Sequence, residues 1–223
     1  MLFKKGFLCA LLFLATTINA FGSSGAGALE RQLKNAEFEF NVGVAILSSD
    51  RLRQNAHIIV SRSQNSILIV GQASSQELRD EVQQLVLDVA RLKWIEGDVN
   101  QVEPSNAQVC GEKASRSAAN SKRRFNLKQV AECSTVNRFY NEVRISPPLS
   151  EMDQSNDDLL RATIINQLLR ASIIDKAEVI NVVVSDSQVY VLGDQLTQVT
   201  AQKSTVFVEG LPDVGSVVPL FRF

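Results

Sequence analysis

The sequence IVSRSQNSILIVG, residues 59–71, has a counterpart in VVSDSQVYVLG, residues 183–193. In each copy a short β-branched run is followed by a polar turn and by a second apolar run that ends at glycine. A strand, a turn and a strand at this spacing are typical of a β-hairpin. The sequence therefore predicts two hairpins of one kind and, with them, an internal repeat.

A helix is predicted after each hairpin. After the first hairpin, Ser74 and Glu77 form a Ser-x-x-Glu capping box, in which each side chain accepts a hydrogen bond from the backbone N–H of the other residue. Apolar residues then recur at helical spacing from Leu78 to Val89. Residues 197–208, after the second hairpin, have a weaker pattern and are predicted to be helical by analogy with the first copy.

A further helix is predicted before each hairpin, and a strand closes each copy. The helices are expected at about residues 37–49 and from Asp157 onward, and the strands at residues 136–145 and 214–223. Each copy is then helix–strand–strand–helix–strand. This order predicts an α/β (α+β) protein in which each three-stranded sheet packs on two helices.

These residues carry a resemblance to a known family. The element order, the glycine that ends each hairpin and Glu209-Gly210-Leu211 before the last strand resemble the BON domain. The segments RFYNEVR at 138–144 and SNDD at 155–158 are similar to the dual BON-domain envelope proteins of the DolP (YraP) and OsmY type. The resemblance covers about residues 37–91 and 136–223.

The resemblance implies a non-catalytic bacterial envelope protein that binds phospholipid through the first helix of its second unit. Carried over by position, the expected contact residues are Leu159, Leu160, Arg161 and Thr163. The helical wheel gives partial support, because Leu159 and Thr163 fall on the side opposite much of the apolar face. An exposed leucine is also ordinary on any protein surface. The expected role is support of outer-membrane integrity, and the alternative is an OsmY-like periplasmic role in binding proteins as a chaperone.

The N-terminal residues are predicted to direct export. Lys4 and Lys5 precede an apolar run at residues 7–15, and Ala20 ends the segment with a small residue. This pattern predicts a secretory signal over residues 1–20, with an uncleaved membrane anchor as the alternative. Since no cysteine follows the signal, the expected location is the periplasm, peripheral to the outer membrane, without a lipid anchor. The further predicted segments are a flexible tether at 21–36, a first BON-like domain at 37–145, a linker at 146–155 and a second BON-like domain at 156–223.

An insertion is expected within the first unit, at about residues 92–133. If the protein is exported, Cys110 and Cys133 are predicted to form a disulfide, and two unrelated thiols are the alternative. Within the insertion, residues 113–128 include six basic residues without an acidic residue among them, which predicts attraction to anionic lipid headgroups or another acidic surface. A solvated loop is the other interpretation. The six residues are Lys113, Arg116, Lys122, Arg123, Arg124 and Lys128.

Composition favours a binding protein over an enzyme. The 223 residues include 23 basic and 24 acidic side chains, for a net charge of −1, so no overall attraction to nucleic acid follows. The chain has one histidine, His57, and three cysteines, which is a poor stock of metal ligands and nucleophiles. We therefore predict no cofactor, no metal, no catalytic residues and no nucleic-acid partner. Anionic membrane surfaces are the expected partner, with envelope proteins as a further candidate.

Overall fold

The described part of the chain contains five helices and two three-stranded sheets. The computed structural model describes residues 25–63, 66–94, 101–104, 136–193 and 196–221. Residues 34–223 form one unit, and residues 25–33 are the described part of the other, where they are helical. The helices are α1 (Gly25–Ser48), α2 (Asp50–Asn55), α3 (Gln76–Ala90), α4 (Glu151–Arg170) and α5 (Gln198–Glu209).

The two predicted repeats have the same sheet topology. In each, the hairpin strands pair antiparallel, and the closing strand lies parallel to the second hairpin strand. The strands are β1 (Ala56–Arg62), β2 (Ser66–Ala73), β5 (Arg138–Ile145), β6 (Asn181–Ser185), β7 (Gln188–Gly193) and β8 (Ser216–Phe221). The sheet orders are β1-β2-β5 and β6-β7-β8. The predicted α+β fold with two three-stranded units is therefore confirmed.

Alternation along the central strands divides the interior into three cores. Successive side chains of a strand point to opposite faces of its sheet. In β2, Ile67 and Ile69 pack under the helices of the first repeat, and in β7 Val189 and Val191 do so in the second. The intervening side chains form a third core, in which the two sheets pack against each other. Its buried members are Leu68, Val70, Tyr140, Val183, Tyr190 and Leu192.

Two helices begin earlier than the sequence predicts. Helix α1 begins at Gly25, so the predicted tether at 21–36 is wrong from residue 25 onward. Good helix formers in ALERQLK, residues 28–34, continue the helix towards the N-terminus. Helix α4 begins at Glu151 instead of Asp157, because the Ser150 Oγ accepts a hydrogen bond from the Asp153 N–H at 3.2 Å. The linker therefore ends at Ser150, five residues before its predicted end.

The start of the predicted insertion is a short antiparallel ribbon of β3 (Leu92–Trp94) and β4 (Val102–Pro104). The rest of the insertion contains the six predicted basic residues, Cys110 and Cys133, and it lies outside the described residues, as does the predicted signal at 1–20. Within the described ranges, no helix has both the length and the apolar character needed to span a bilayer.

The outer edges of the two sheets are protected at β5 and β8. In β5, the carbonyl oxygen of Asn141 accepts a hydrogen bond from the Arg79 guanidinium of α3 at 3.2 Å. Strand β8 contains Pro219, which has no N–H to offer a further strand. Native sheets use such devices to prevent edge-to-edge association.

Candidate functional site

The N-terminal half of α4 is fixed to the second hairpin by a buried carboxylate. Asp157 accepts hydrogen bonds from the backbone N–H groups of Asp186, at 2.6 Å, and Ser187, at 3.0 Å. These two residues form the β6–β7 turn, and both have positive φ, 55° and 58°. Positive φ at both central residues matches the twist of a two-residue hairpin but is costly for residues other than glycine. The carboxylate of Asp157 therefore stabilises the turn and orients the start of α4.

Replacement of Asp157 by alanine is expected to destabilise the folded protein by about 2 kcal/mol, because two N–H groups of a strained turn lose a charged acceptor. Chemical denaturation monitored by circular dichroism would measure the change. Asp158→Ala is the matched control, since it removes the same charge from the neighbouring, exposed residue. We expect that control to stay within about 0.5 kcal/mol of the wild type. Equal effects of the two substitutions would contradict the role given to Asp157.

The four residues expected to contact lipid do not form one exposed surface. Leu159 is 68% exposed, and Thr163 is also exposed. Leu160 instead packs against the core between the second sheet and its helices. The Arg161 Nε donates a hydrogen bond to the carbonyl oxygen of Val182 at 2.8 Å, at the edge of β6. Only Leu159 and Thr163 are thus presented to solvent without a described polar contact that restrains them.

Met152 joins Leu159 on the outer side of α4. It is 74% exposed and precedes Leu159 by seven residues, so the two lie on the same face about 10.5 Å apart along the axis. A sequence reading that starts the helix at Asp157 cannot find Met152. The signal that could have found it is the Ser150-x-x-Asp153 cap.

The second repeat matches a known family. Residues 156–223 match the family model of the BON domain. This segment is a BON domain. The predicted resemblance is therefore confirmed for the second unit, and the match begins at the predicted residue. No curated protein was found to match the chain.

The apolar pair on α4, Met152 and Leu159, has acidic neighbours. Glu151, Asp153 and Asp158 are all exposed on the N-terminal half of α4. Like charges repel, so this surface by itself disfavours anionic headgroups. The aliphatic side chains of Met152 and Leu159 can still enter an apolar environment, for which no charge is needed.

A polar junction connects the BON domain to the first repeat. Glu39 of α1 accepts hydrogen bonds from the Arg62 backbone N–H, at 2.9 Å, and from the Ser61 Oγ, at 3.4 Å. The Ser61 Oγ in turn accepts a hydrogen bond from the Asn181 Nδ2 of β6 at 2.6 Å. Burial raises the pKa of Glu39, while these hydrogen bonds and the charge of Arg161 oppose the increase. Glu39 binds a backbone group at the edge of β1, and Arg161 binds one at the edge of β6. The two edges lie close together at this junction.

A second set of contacts crosses between the sheets. The buried Gln72 Nε2 donates to the Ser185 Oγ at 3.0 Å, and Arg144 pairs with Asp186 at 2.9 Å. Directional contacts of this kind fix the position of one sheet on the other. The BON domain is therefore held to the first repeat by both apolar packing and hydrogen bonds.

His57 lies half-buried at the start of β1. Burial lowers its pKa, and the charges of Asp157 and Asp158 oppose that decrease. In the described ranges, no group of three or more His, Cys, Asp and Glu side chains is arranged to hold a metal ion.

Proposed function

We propose that the protein is a non-catalytic envelope protein that binds phospholipid membranes and supports the integrity of the outer membrane. The single observation that carries this proposal is the BON domain at residues 156–223, which begins within α4 and presents Leu159 to solvent. Met152, on the same helix just before the matched residues, is exposed as well. A periplasmic location, peripheral to the membrane, follows from the predicted export signal. Envelope proteins are further candidate partners.

Attraction to anionic lipid is assigned to the insertion. Because the start of α4 is acidic, the BON domain contributes apolar contact and little favourable charge. The six basic residues from Lys113 to Lys128 supply positive charge, which attracts anionic headgroups. Near an anionic surface each basic residue contributes about 1 kcal/mol, within a Debye length.

Vesicle flotation tests the proposal. The full chain is incubated with phosphatidylcholine vesicles, with and without about one-third phosphatidylglycerol, an amount chosen to give an anionic surface. We expect recovery to rise with anionic lipid and to fall for Leu159→Ser. Val206→Ser is the control, because Val206 is also an exposed apolar residue but lies on α5. Equal recovery with and without anionic lipid, or equal recovery of the two variants, would contradict the proposal.

The described sheet edges give no support to recognition of unfolded chains by strand addition. A side chain binds one backbone group in each of β1, β5 and β6, and β8 contains Pro219, which has no N–H. A peptide added at any of these edges would displace a hydrogen bond or lack one.

A further inference from the structure

Helix α1 has apolar side chains on two opposite faces. Phe38, Val42 and Ile46 are buried against the first sheet. Phe40, Val44 and Leu47 are 69%, 47% and 51% exposed. The exposed residues follow one another at intervals of four and three, so they lie on one side of the helix, away from the buried side. We call these three residues the outer face of α1.

The outer face is apolar along its full width. Gly43 lies beside it, and a Cβ added there would have no atom within 4 Å. The residues that flank it on one side are Glu37, Asn41 and Ser48, of which Glu37 is charged. The apolar pair on α4, in contrast, is accompanied by three exposed acidic residues. Of the two surfaces, the outer face of α1 is therefore the one that enters a lipid surface at less electrostatic cost.

The size of the outer face favours a bilayer over a second copy of the chain as the surface that it contacts. The exposed fractions of these three side chains amount to on the order of 300 Å². Leu29 and Leu33, which are 44% and 57% exposed earlier on α1, raise the exposed apolar area of the helix to on the order of 500 Å². A stable protein–protein interface buries about 800 Å² on each partner. A bilayer sets no such minimum and requires no matching shape, since an interfacial helix needs only an apolar face that can lie in the plane of the membrane.

We propose that the outer face of α1 inserts into the interfacial region of a phospholipid bilayer and forms a membrane contact outside the BON domain. This inference rests on the proposed phospholipid-binding function and adds a second site to it. Basic residues of the insertion attract the protein to the membrane, and Phe40 and its neighbours then hold it by burial of apolar surface. The insertion step should consequently resist salt, because apolar burial is not screened.

Fluorescence quenching tests the contact directly. In the full chain, Phe40→Trp places an indole on the outer face, and vesicles with brominated acyl chains quench indoles that enter the bilayer. We expect at least a twofold loss of the added fluorescence, after subtraction of the wild-type signal from Trp94. Val206→Trp on α5 is the control and should lose none. Quenching of the control but not of the α1 variant would overturn the inference.

A partition measurement tests the energetic contribution. Phe40→Ser combined with Leu47→Ser is expected to reduce vesicle partitioning about tenfold or more, at both low salt and about 0.5 M NaCl. Circular dichroism checks that the exposed substitutions leave the fold intact. Unchanged partitioning would overturn the inference, as would a wild-type dimer that dissociates in the variant.

The two proposals fail in different ways. If the wild-type chain does not bind vesicles of either composition, the proposed function fails and the α1 contact fails with it. If the wild-type chain binds and Leu159→Ser weakens binding while the α1 double variant does not, only the α1 contact is overturned. Residues 1–20 are the same in every sample, so a difference between two variants does not arise from them.

Discussion

Replacement of Gly71 by alanine is expected to destabilise the protein by about 3 kcal/mol or more. Gly71 lies in the central strand β2, paired with Ile58 on one side and Val143 on the other. Its φ is +129°, which side chains rarely allow. A Cβ at this position would lie 1.9 Å from the carbonyl oxygen of His57. Because the obstacle is backbone, either the hairpin pairing or the strand conformation must change.

Guanidinium denaturation of the full chain measures this effect, and two other glycines calibrate it. Gly43→Ala on the exposed side of α1 meets no atom and should stabilise the helix by about 0.5–1 kcal/mol. Gly193 ends the second hairpin, but its added Cβ meets the flexible end of Leu196 at 2.7 Å, so Gly193→Ala should cost less than Gly71→Ala. Equal costs at Gly71 and Gly193 would show that the close approach to His57 is not decisive.

The comparison of these glycines shows what a repeated pattern can and cannot predict. The hairpins, the helices after them and the fold class follow from alternation and helical spacing, which are properties of the sequence itself. The glycine at the end of each apolar run is also visible. The reason why position 71 must be glycine is not visible in the sequence, because the carbonyl of His57 approaches Gly71 only after β1 and β2 have paired.

The same limit applies to the candidate site. Leu159 and Thr163 are exposed as the helical wheel indicates, because their positions depend only on the local helix. Arg161 is restrained by Val182, a residue 21 positions later, and sequence spacing gives no sign of that hydrogen bond. The pattern of α1 does not indicate an exposed Phe40, since an amphipathic helix is expected to have one apolar face, whereas this helix has two.

The packing between the two sheets joins the two repeats into one unit. Leu192 of β7 is buried in the third core with Leu68 and Val70 of the first repeat. Leu192→Asn is expected to destabilise the protein by about 3–5 kcal/mol, because it removes apolar contacts and leaves an amide without partners between the sheets. Thermal and guanidinium unfolding followed by circular dichroism would measure this loss.

Leu159→Asn is the matched control, because the same substitution on the exposed face of α4 should change stability by no more than about 0.5 kcal/mol. Leu192→Asn should also separate unfolding into two transitions, since the third core is what makes the repeats unfold together. A repeat of this size buries a smaller fraction of its unfolded surface alone than the two repeats bury together, so each transition should occur at lower denaturant than the wild-type one. A single transition for Leu192→Asn at the wild-type midpoint would mean that each repeat supports itself, and the sheet-to-sheet contact would then contribute little to the fold.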